Sequence, residues 1–135
     1  FFDADNYHPP ENVKKMASGN PLNDKDRQGW LERLNLLAKE NIKIGAVIAC
    51  SSLKQNHRTL LQQNIEDLTR FVYLKGSYED ISERINQRKG HFMPPELLKS
   101  QFKALEHPEE AVTVSINNTP EEIVINILRQ LNTKN

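Results

Sequence analysis

Short apolar runs alternate with amphipathic helical segments along this chain, and that alternation restricts its fold more than any other feature. The predicted strands cover residues 1–2, 45–50, 71–74 and 112–116. The predicted helices cover about 11–18, a segment beginning at 23 or 24, 53–63, 79–88, a segment beginning at 94–95, and a closing helix with Ile123, Ile127, Leu128 and Leu131 on one side. Alternating strands and helices form βαβ units. The predicted fold is therefore α/β, with a mainly parallel sheet and helices on both faces.

Two segments show the strongest patterns. The helix that begins near residue 23 carries apolar residues at helical spacing, namely Trp30, Leu31, Leu34, Leu37 and Ala38. One face of that helix is therefore predicted to be buried. The run 45–50 is apolar without a break, as in a parallel strand that is buried on both faces. It contains the single cysteine, Cys50, which is predicted to be a small buried hydrophobe.

Composition argues against several function classes. Lys and Arg together number 18, as do Asp and Glu, so the formal net charge is zero. Nucleic-acid-binding domains usually carry a basic excess, and this balance argues against such a partner. No run approaches the roughly 20 apolar residues that cross a bilayer, and no signal peptide is visible. A single cytoplasmic domain spanning 1–135 is the expectation.

Asp3 and Asp5 follow the first predicted strand, at the edge where parallel sheets bind ligands. Residues two apart in an extended segment point the same way, so the two carboxylates are predicted to lie side by side. They would repel unless a cation or several donors lay between them. One interpretation is Mg²⁺ handling together with an acceptor for a hydroxylated substrate. The other is a turn with capping aspartates.

Two basic groupings could bind an anion. Arg84 and Arg88 lie four residues apart on one helical stripe, where like charges repel by roughly 0.2–0.5 kcal/mol. A phosphate would turn that repulsion into a clamp, whereas the alternative is a solvated basic face at a helix C-terminus. Lys54 and Arg58 follow the serines after the run 45–50, where a helix cap with surface cations is the simpler interpretation.

The segment 22–27 can be a helix-capping stretch, because Asn23 or Asp24 can cap the next helix. Arg27, one turn inside that helix, is the residue that capping leaves unexplained.

The four histidines show no metal-ligand spacing, so no zinc site is predicted. His57 and His107 are interpreted as surface residues.

Taken together, these segments resemble the gluconate kinase (gluconokinase) family, over nearly the whole chain and in the expected order. The matching residues are Phe2-Asp3-Ala4-Asp5-Asn6-Tyr7-His8-Pro9, Lys15-Met16-Ala17-Ser18-Gly19, Pro21-Leu22-Asn23-Asp24-Lys25-Asp26-Arg27 with Trp30, Ala49-Cys50-Ser51-Ser52-Leu53-Lys54 with Arg58, Tyr73-Leu74-Lys75-Gly76, Arg88-Lys89-Gly90-His91-Phe92, and Ser100-Gln101-Phe102 with Leu105-Glu106.

The resemblance implies a P-loop kinase fold and the use of ATP and Mg²⁺ to phosphorylate D-gluconate at its terminal hydroxyl, which gives 6-phosphogluconate. It implies that Asp3 positions the water shell of Mg²⁺. Asp5 would contact the sugar acid and orient or deprotonate the attacking hydroxyl. Dimers are usual in the family, so a homodimer is a further expectation.

The remaining site residues also come from the resemblance. His8, Lys14, Arg27 and Arg58 are candidates for binding the carboxylate and hydroxyls of the substrate. Arg84 and Arg88 would reach the ATP phosphates and the charge that develops on the transferred group, in a lid segment at about 84–106. The loop from Asn117 to Pro120 would hold adenine.

The glycine-rich phosphate-binding loop of such kinases, which ends in Gly-Lys-Ser or Gly-Lys-Thr, does not occur in these residues. Because Phe1 and Phe2 look like the end of a strand, the expectation is that the loop and the first, central strand precede them. Removing that strand would open a gap of about 10 Å between its neighbours. The 135-residue chain alone is then expected to be inactive and poorly stable.

Two alternatives remain at this point. One is a naturally shortened, non-catalytic protein that binds gluconate or a partner. The weaker one is another small P-loop kinase, such as one acting on shikimate, against which His8, Trp30 and the residues 89–92 argue.

Overall fold

The computed structural model of the chain describes residues 1–88 and 94–133. Its strands are β1 (Phe2–Asp3), β2 (Ile48–Ala49), β3 (Val72–Lys75) and β4 (Val112–Ser115). Its α-helices are α1 (Pro10–Ala17), α2 (Asp24–Glu40), α3 (Gln55–Leu61), α4 (Tyr78–Gln87), α5 (Pro95–Ala104) and α6 (Pro120–Thr133), and short 3₁₀ helices cover Ala4–Tyr7 and Glu66–Leu68. The predicted alternation of strands and helices is confirmed. The matched residues Lys89, Gly90, His91 and Phe92 lie outside the described residues.

The described chain divides into two compact units, one made of residues 1–67 and 94–107 and the other of 68–88 and 108–133. In the first unit β1 and β2 pair in parallel, with Phe2 opposite Ile48. In the second unit β3 and β4 pair in parallel over four residue pairs, from Val72 opposite Val112 to Lys75 opposite Ser115. The parallel pairing predicted from the sequence is confirmed within each unit. The single domain with a lid at about 84–106 stays a prediction.

Helix α2 provides most of the hydrophobic core cluster that surrounds the end of β1. Asn23 caps it in a reciprocal capping box with Asp26, whose side chain accepts from the Asn23 backbone N–H. Of the apolar positions predicted from helical spacing, Trp30, Leu31, Leu34 and Leu37 are buried, and Ala38 is half-buried. Ala4, which follows β1, lies in the same cluster and is fully buried. The apolar face of α2 therefore fixes where the end of β1 lies.

The prediction that the run 45–50 forms a strand buried on both faces is wrong. Only Ile48 and Ala49 pair as a strand, and within the run Val47 is 68% exposed and Ala49 is exposed as well. Among the described residues β2 has one strand partner, β1, over two residue pairs. An apolar run is buried on both faces only when neighbouring elements cover both, and sequence alone does not report those neighbours.

The strands of the second unit lead into a tightly packed turn. Val112 and Val114 of β4 are buried while the residues between and after them are exposed, so β4 buries one face. Gly76, which follows β3, lies against Ile116: a Cβ built on Gly76 would come within 2.7 Å of Ile116 Cγ1. No side chain fits at position 76 without moving Ile116, which is itself buried.

In the described residues no helix combines the length and the apolar character that a membrane span requires.

Replacing Gly76 with Ala should lower the free energy of unfolding by about 1–3 kcal/mol, because the added methyl group overpacks the turn against Ile116. Urea denaturation followed by circular dichroism measures the change.

Gly29→Ala is the matched control, since nothing lies within 4 Å of a Cβ at Gly29. Gly29 lies inside α2, where Gly is less favourable than Ala. The same methyl group should therefore stabilise the protein by roughly 0.4–1 kcal/mol. Equal effects of the two substitutions would contradict the packing described for Gly76.

Candidate functional site

Asp3 and Asp5 lie at the C-terminal end of β1, but not in the extended arrangement predicted from the sequence. Asp3 is the N-cap of the 3₁₀ helix Ala4–Tyr7, and its Oδ1 accepts a hydrogen bond from the Asp5 backbone N–H at 3.0 Å. The prediction that the two carboxylates lie side by side on one extended strand is wrong. The capping aspartate turns the chain into a 3₁₀ helix immediately after the strand. The capping interpretation holds for Asp3. The Asp5 side chain is 64% exposed and stays available to a ligand.

His8 lies against the indole ring of Trp30. The two rings stack with centroids 4.0 Å apart and planes inclined by 17°. Trp30 is itself fixed, because its Nε1–H donates a buried hydrogen bond of 2.8 Å to the carbonyl oxygen of Ala4. The orientation of the His8 ring thus depends on a contact between α2 and the residue that follows β1.

Asn12 determines which nitrogen of His8 carries the proton. The Asn12 Nδ2 group donates to the backbone carbonyl of Asp26 at 2.8 Å, which fixes the orientation of the amide. The same Nδ2 faces His8 Nδ1 at 3.3 Å, so Nδ1 is the acceptor. In the neutral ring the proton is then on Nε2. His8 Nε2 lies 4.0 Å from Asp5 Oδ1.

The electrostatics of His8 favour this neutral form. Burial lowers the pKa of His8, Asp5 raises it, and the charge of Arg27 lowers it further, with a net lowering. The site therefore holds a neutral imidazole, whose side chain is 3% exposed, beside an exposed carboxylate rather than a second cation.

Arg27 has a buried guanidinium whose positive charge is only partly compensated by a nearby carboxylate. Its side chain is 10% exposed, and Asp24 Oδ1, its ion-pair partner, is 3.9 Å from Nη1. Burial lowers the pKa of Arg27, while Asp24 and Asp26 raise it. A charged hydrogen bond to a carboxylate is normally about 2.7–2.9 Å long, so Arg27 retains donors for an anionic group.

His57 is not the surface residue that the sequence analysis predicted. Its side chain is 4% exposed, its Nδ1 accepts from the Lys54 backbone N–H at 3.3 Å, and its Nε2 lies 3.3 Å from Asp24 Oδ1. Burial is the largest effect on the pKa of His57, and the net shift is downward. The position of His57 three residues after Lys54, at the start of α3, is the sequence signal for this cap. Its contact with Asp24 joins residues 33 apart in the sequence.

Two other predicted substrate residues are placed differently from Arg27. Lys14 is exposed on α1, whereas its neighbour Lys15 pairs with Asp26 at 2.7 Å. Arg58 is buried, and its two terminal nitrogens donate to the backbone carbonyls of Ser52 at 2.6 Å and Glu106 at 2.9 Å. These bonds hold chain segments together. The roles of Lys14 and Arg58 in substrate binding stay predictions.

The second unit contains the residues predicted to bind ATP. Arg84 donates a hydrogen bond to the carbonyl oxygen of Ile116, just beyond β4, and Arg88 is exposed at the C-cap of α4. Asn117 and Lys75 help to line a shallow groove at the C-terminal ends of β3 and β4. Pro120 is exposed at the start of α6.

The oxygen and nitrogen side chains near β1 indicate what kind of metal ion could bind there. In the described ranges 1–88 and 94–133, no group of three or more His, Cys, Asp or Glu side chains is placed to hold one. Asp3 offers one carboxylate oxygen beyond the one that accepts from Asp5. This arrangement fits Mg²⁺, which keeps several waters and binds through one or two carboxylates together with substrate phosphates.

Comparisons with known proteins agree on one family. The chain is 45% identical over 126 residues to the thermosensitive gluconokinase of Escherichia coli (strain K12). That alignment covers 87% of this chain and 66% of the relative. The chain is 40% identical over 130 residues to the thermoresistant gluconokinase of the same organism, with 92% and 74% covered. A gluconokinase crystal structure from Sinorhizobium meliloti 1021 superposes with a TM-score of 0.84 at 36% identity, over 98% of this chain and 77% of that one.

The fold is that of the P-loop small-molecule kinases. The chain belongs to the gluconokinase family. It spans just under two thirds of the length of the first of these relatives, at 66%. No protein-family model matches the chain.

Stability should fall as the pH falls through the range where His8 and His57 titrate. The pKa of each is lowered by folding from about 6.5, so the unfolded chain binds more protons. This stabilisation is fully present above the unfolded pKa and is lost as the pH falls through the folded values. Urea midpoints between pH 5 and 8 measure the slope.

The His8→Gln/His57→Gln double variant should show a shallower slope over that range. Asp24 and Asp26, whose pKa values are lowered from 3.8, contribute mainly at lower pH. An unchanged slope in the double variant would contradict the burial of the two neutral rings.

Proposed function

We propose that the protein transfers the terminal phosphoryl group of ATP to the terminal hydroxyl of D-gluconate, giving 6-phosphogluconate and ADP. The family supports this reaction, because the relatives that the chain matches are named gluconokinases. The site supports it through one observation: the buried Arg27 guanidinium, with its ion-pair partner 3.9 Å away, lies within electrostatic reach of His8.

Arg27 would bind the carboxylate of the sugar acid. A guanidinium binds a carboxylate through two parallel hydrogen bonds, which fix its orientation as well as its charge. Burial strengthens such a pair, because water competes less for the guanidinium. A neutral sugar would leave this buried charge uncompensated, so Arg27 favours an acid as substrate.

His8 and Asp5 would contact the hydroxyl groups. His8 Nε2–H is a donor in the neutral tautomer set by Asn12. Asp5 is an exposed carboxylate, which accepts hydrogen bonds. A donor and an acceptor 4.0 Å apart suit the hydroxyls of a polyol chain.

Asp5 would act on the attacking hydroxyl. The oxygen of the gluconate hydroxyl would form the new bond to the γ-phosphorus, and the bond from that phosphorus to the bridging oxygen of ADP would break. The hydroxyl proton would pass to the Asp5 carboxylate. Phosphoryl transfer depends mainly on positioning and charge neutralisation. The stacking of His8 on Trp30 would contribute positioning, because it restrains rotation of the imidazole ring.

Asp3 would hold Mg²⁺ through its water shell, and the ion would neutralise charge on the phosphates of ATP. In the second unit, we assign the ATP phosphates to Arg84 and Arg88, whose side chains are exposed apart from the bond to Ile116. The groove that includes Asn117 and the loop leading to Pro120 would contact adenine. A cytoplasmic homodimer that acts on these small molecules completes the proposal.

The test uses protein expressed from the complete reading frame, assayed for gluconate-dependent release of ADP. Arg27→Lys should raise the KM for gluconate about 10- to 100-fold, because Lys keeps the charge but loses the two-pronged geometry. Asp5→Asn should lower kcat by roughly 10²–10⁴, the usual contribution of a general base.

Arg33→Lys is the matched control, since Arg33 lies on the same helix with its side chain 45% exposed and pairs with Glu40. It should leave KM and kcat within about twofold, as surface pairs contribute little. Absence of gluconate-dependent ADP release by the unsubstituted protein would overturn the proposed reaction. Calorimetric binding of gluconate without turnover would instead support the non-catalytic alternative.

A further inference from the structure

One carboxylate oxygen, Asp24 Oδ1, lies near Arg27 of α2 and near Lys54 and His57 at the start of α3. His57 Nε2 is 3.3 Å from it, whereas Arg27 Nη1 and Lys54 Nζ are each 3.9 Å away. The other oxygen, Oδ2, accepts from Asn56 Nδ2 at 3.4 Å. The nearest donors to the Asp24 carboxylate therefore come from α3 and not from Arg27.

The direction of the His57 contact follows from its second nitrogen. His57 Nδ1 faces the Lys54 backbone N–H, which can only donate, so Nδ1 accepts. The neutral ring then carries its proton on Nε2 and donates it to Asp24. His57 is buried and its ring is held at both nitrogens, whereas the Asp24 side chain is 55% exposed. The rigid partner in this pair is His57.

Asp24 can also compete with an anionic substrate for the Arg27 guanidinium. The two residues lie three apart on α2, a spacing at which opposite charges meet on one helix face. Closing the gap from 3.9 Å to the usual length of about 2.8 Å would give a full charged hydrogen bond. That bond would occupy a donor of the guanidinium that we assign to the sugar-acid carboxylate.

We propose that His57 is a positioning residue for the sugar-acid site: it restrains the Asp24 carboxylate and so leaves the Arg27 guanidinium open to an anionic substrate. This inference rests on the proposed function only in the identity of that anion. His57 acts through Asp24 and does not touch the substrate.

Kinetics of protein from the complete reading frame test the inference. His57→Phe keeps a ring but removes the donor, and it should raise the KM for gluconate about 5- to 20-fold, as coupled neighbours do. It should leave kcat and the KM for ATP within about twofold, because Asp24 competes with the carboxylate alone. His57→Gln, which can still donate to Asp24, should keep the KM for gluconate within about threefold of the parent's.

The second arm introduces His57→Phe into an Asp24→Asn background. A neutral amide has no charge to pair with Arg27, so His57→Phe should then change the KM for gluconate by less than about twofold. A purely structural role for His57 predicts the same effect in both backgrounds, with losses in kcat and thermal stability. That result would overturn the inference.

Crystal structures of the parent and of His57→Phe give a measurement that is independent of turnover. The distance from Arg27 Nη1 to Asp24 Oδ1 should shorten from 3.9 Å to about 2.8 Å. An unchanged or longer distance overturns the inference, whatever the substrate is. If the parent shows no gluconate turnover, the proposed reaction fails while this distance still decides the role of His57. His57→Leu serves as the donor-free variant if Phe prevents folding.

Discussion

The hydrogen bond from Trp30 Nε1 to the carbonyl oxygen of Ala4 is the interaction on which the candidate site depends. Ala4 is fully buried, and a buried carbonyl without a partner would cost about 1–3 kcal/mol. The bond joins α2 to the residue after β1 and fixes the indole plane against which His8 stacks. Packing of the core and orientation of the His8 ring therefore depend on one side chain, that of Trp30.

The sequence predicted those elements whose signals are local. Helix α2 was predictable because Trp30, Leu31, Leu34 and Leu37 repeat at helical spacing, and the parallel strand pairs followed from the alternation of elements. The strand 45–50 was predicted wrongly because burial on both faces depends on neighbours that a run of apolar letters does not reveal. At Asp3, a local capping bond took precedence over the strand geometry that the spacing suggested.

The candidate site was predictable in part, and mostly through the family resemblance. Arg27 stood out because helix capping did not explain it, and the structure shows it buried with a distant partner. His57 was missed because its contact partner Asp24 is far away in the sequence. Asn12 was missed as well, because it lies in the first turn of α1 whereas His8 precedes the N-cap of that helix, so no helical spacing links the two residues.

Asn12 gives the site a fixed polarity. Its amide is oriented by the backbone of Asp26, and its Nδ2 group can only donate to His8. A carboxylate in its place would accept from Nδ1–H and leave Nε2 bare, so the imidazole edge facing Asp5 would change from donor to acceptor. Exchanging one –NH₂ group for an oxygen, in a residue that need not touch a ligand, would thus reverse the hydrogen-bonding character of the imidazole edge beside Asp5.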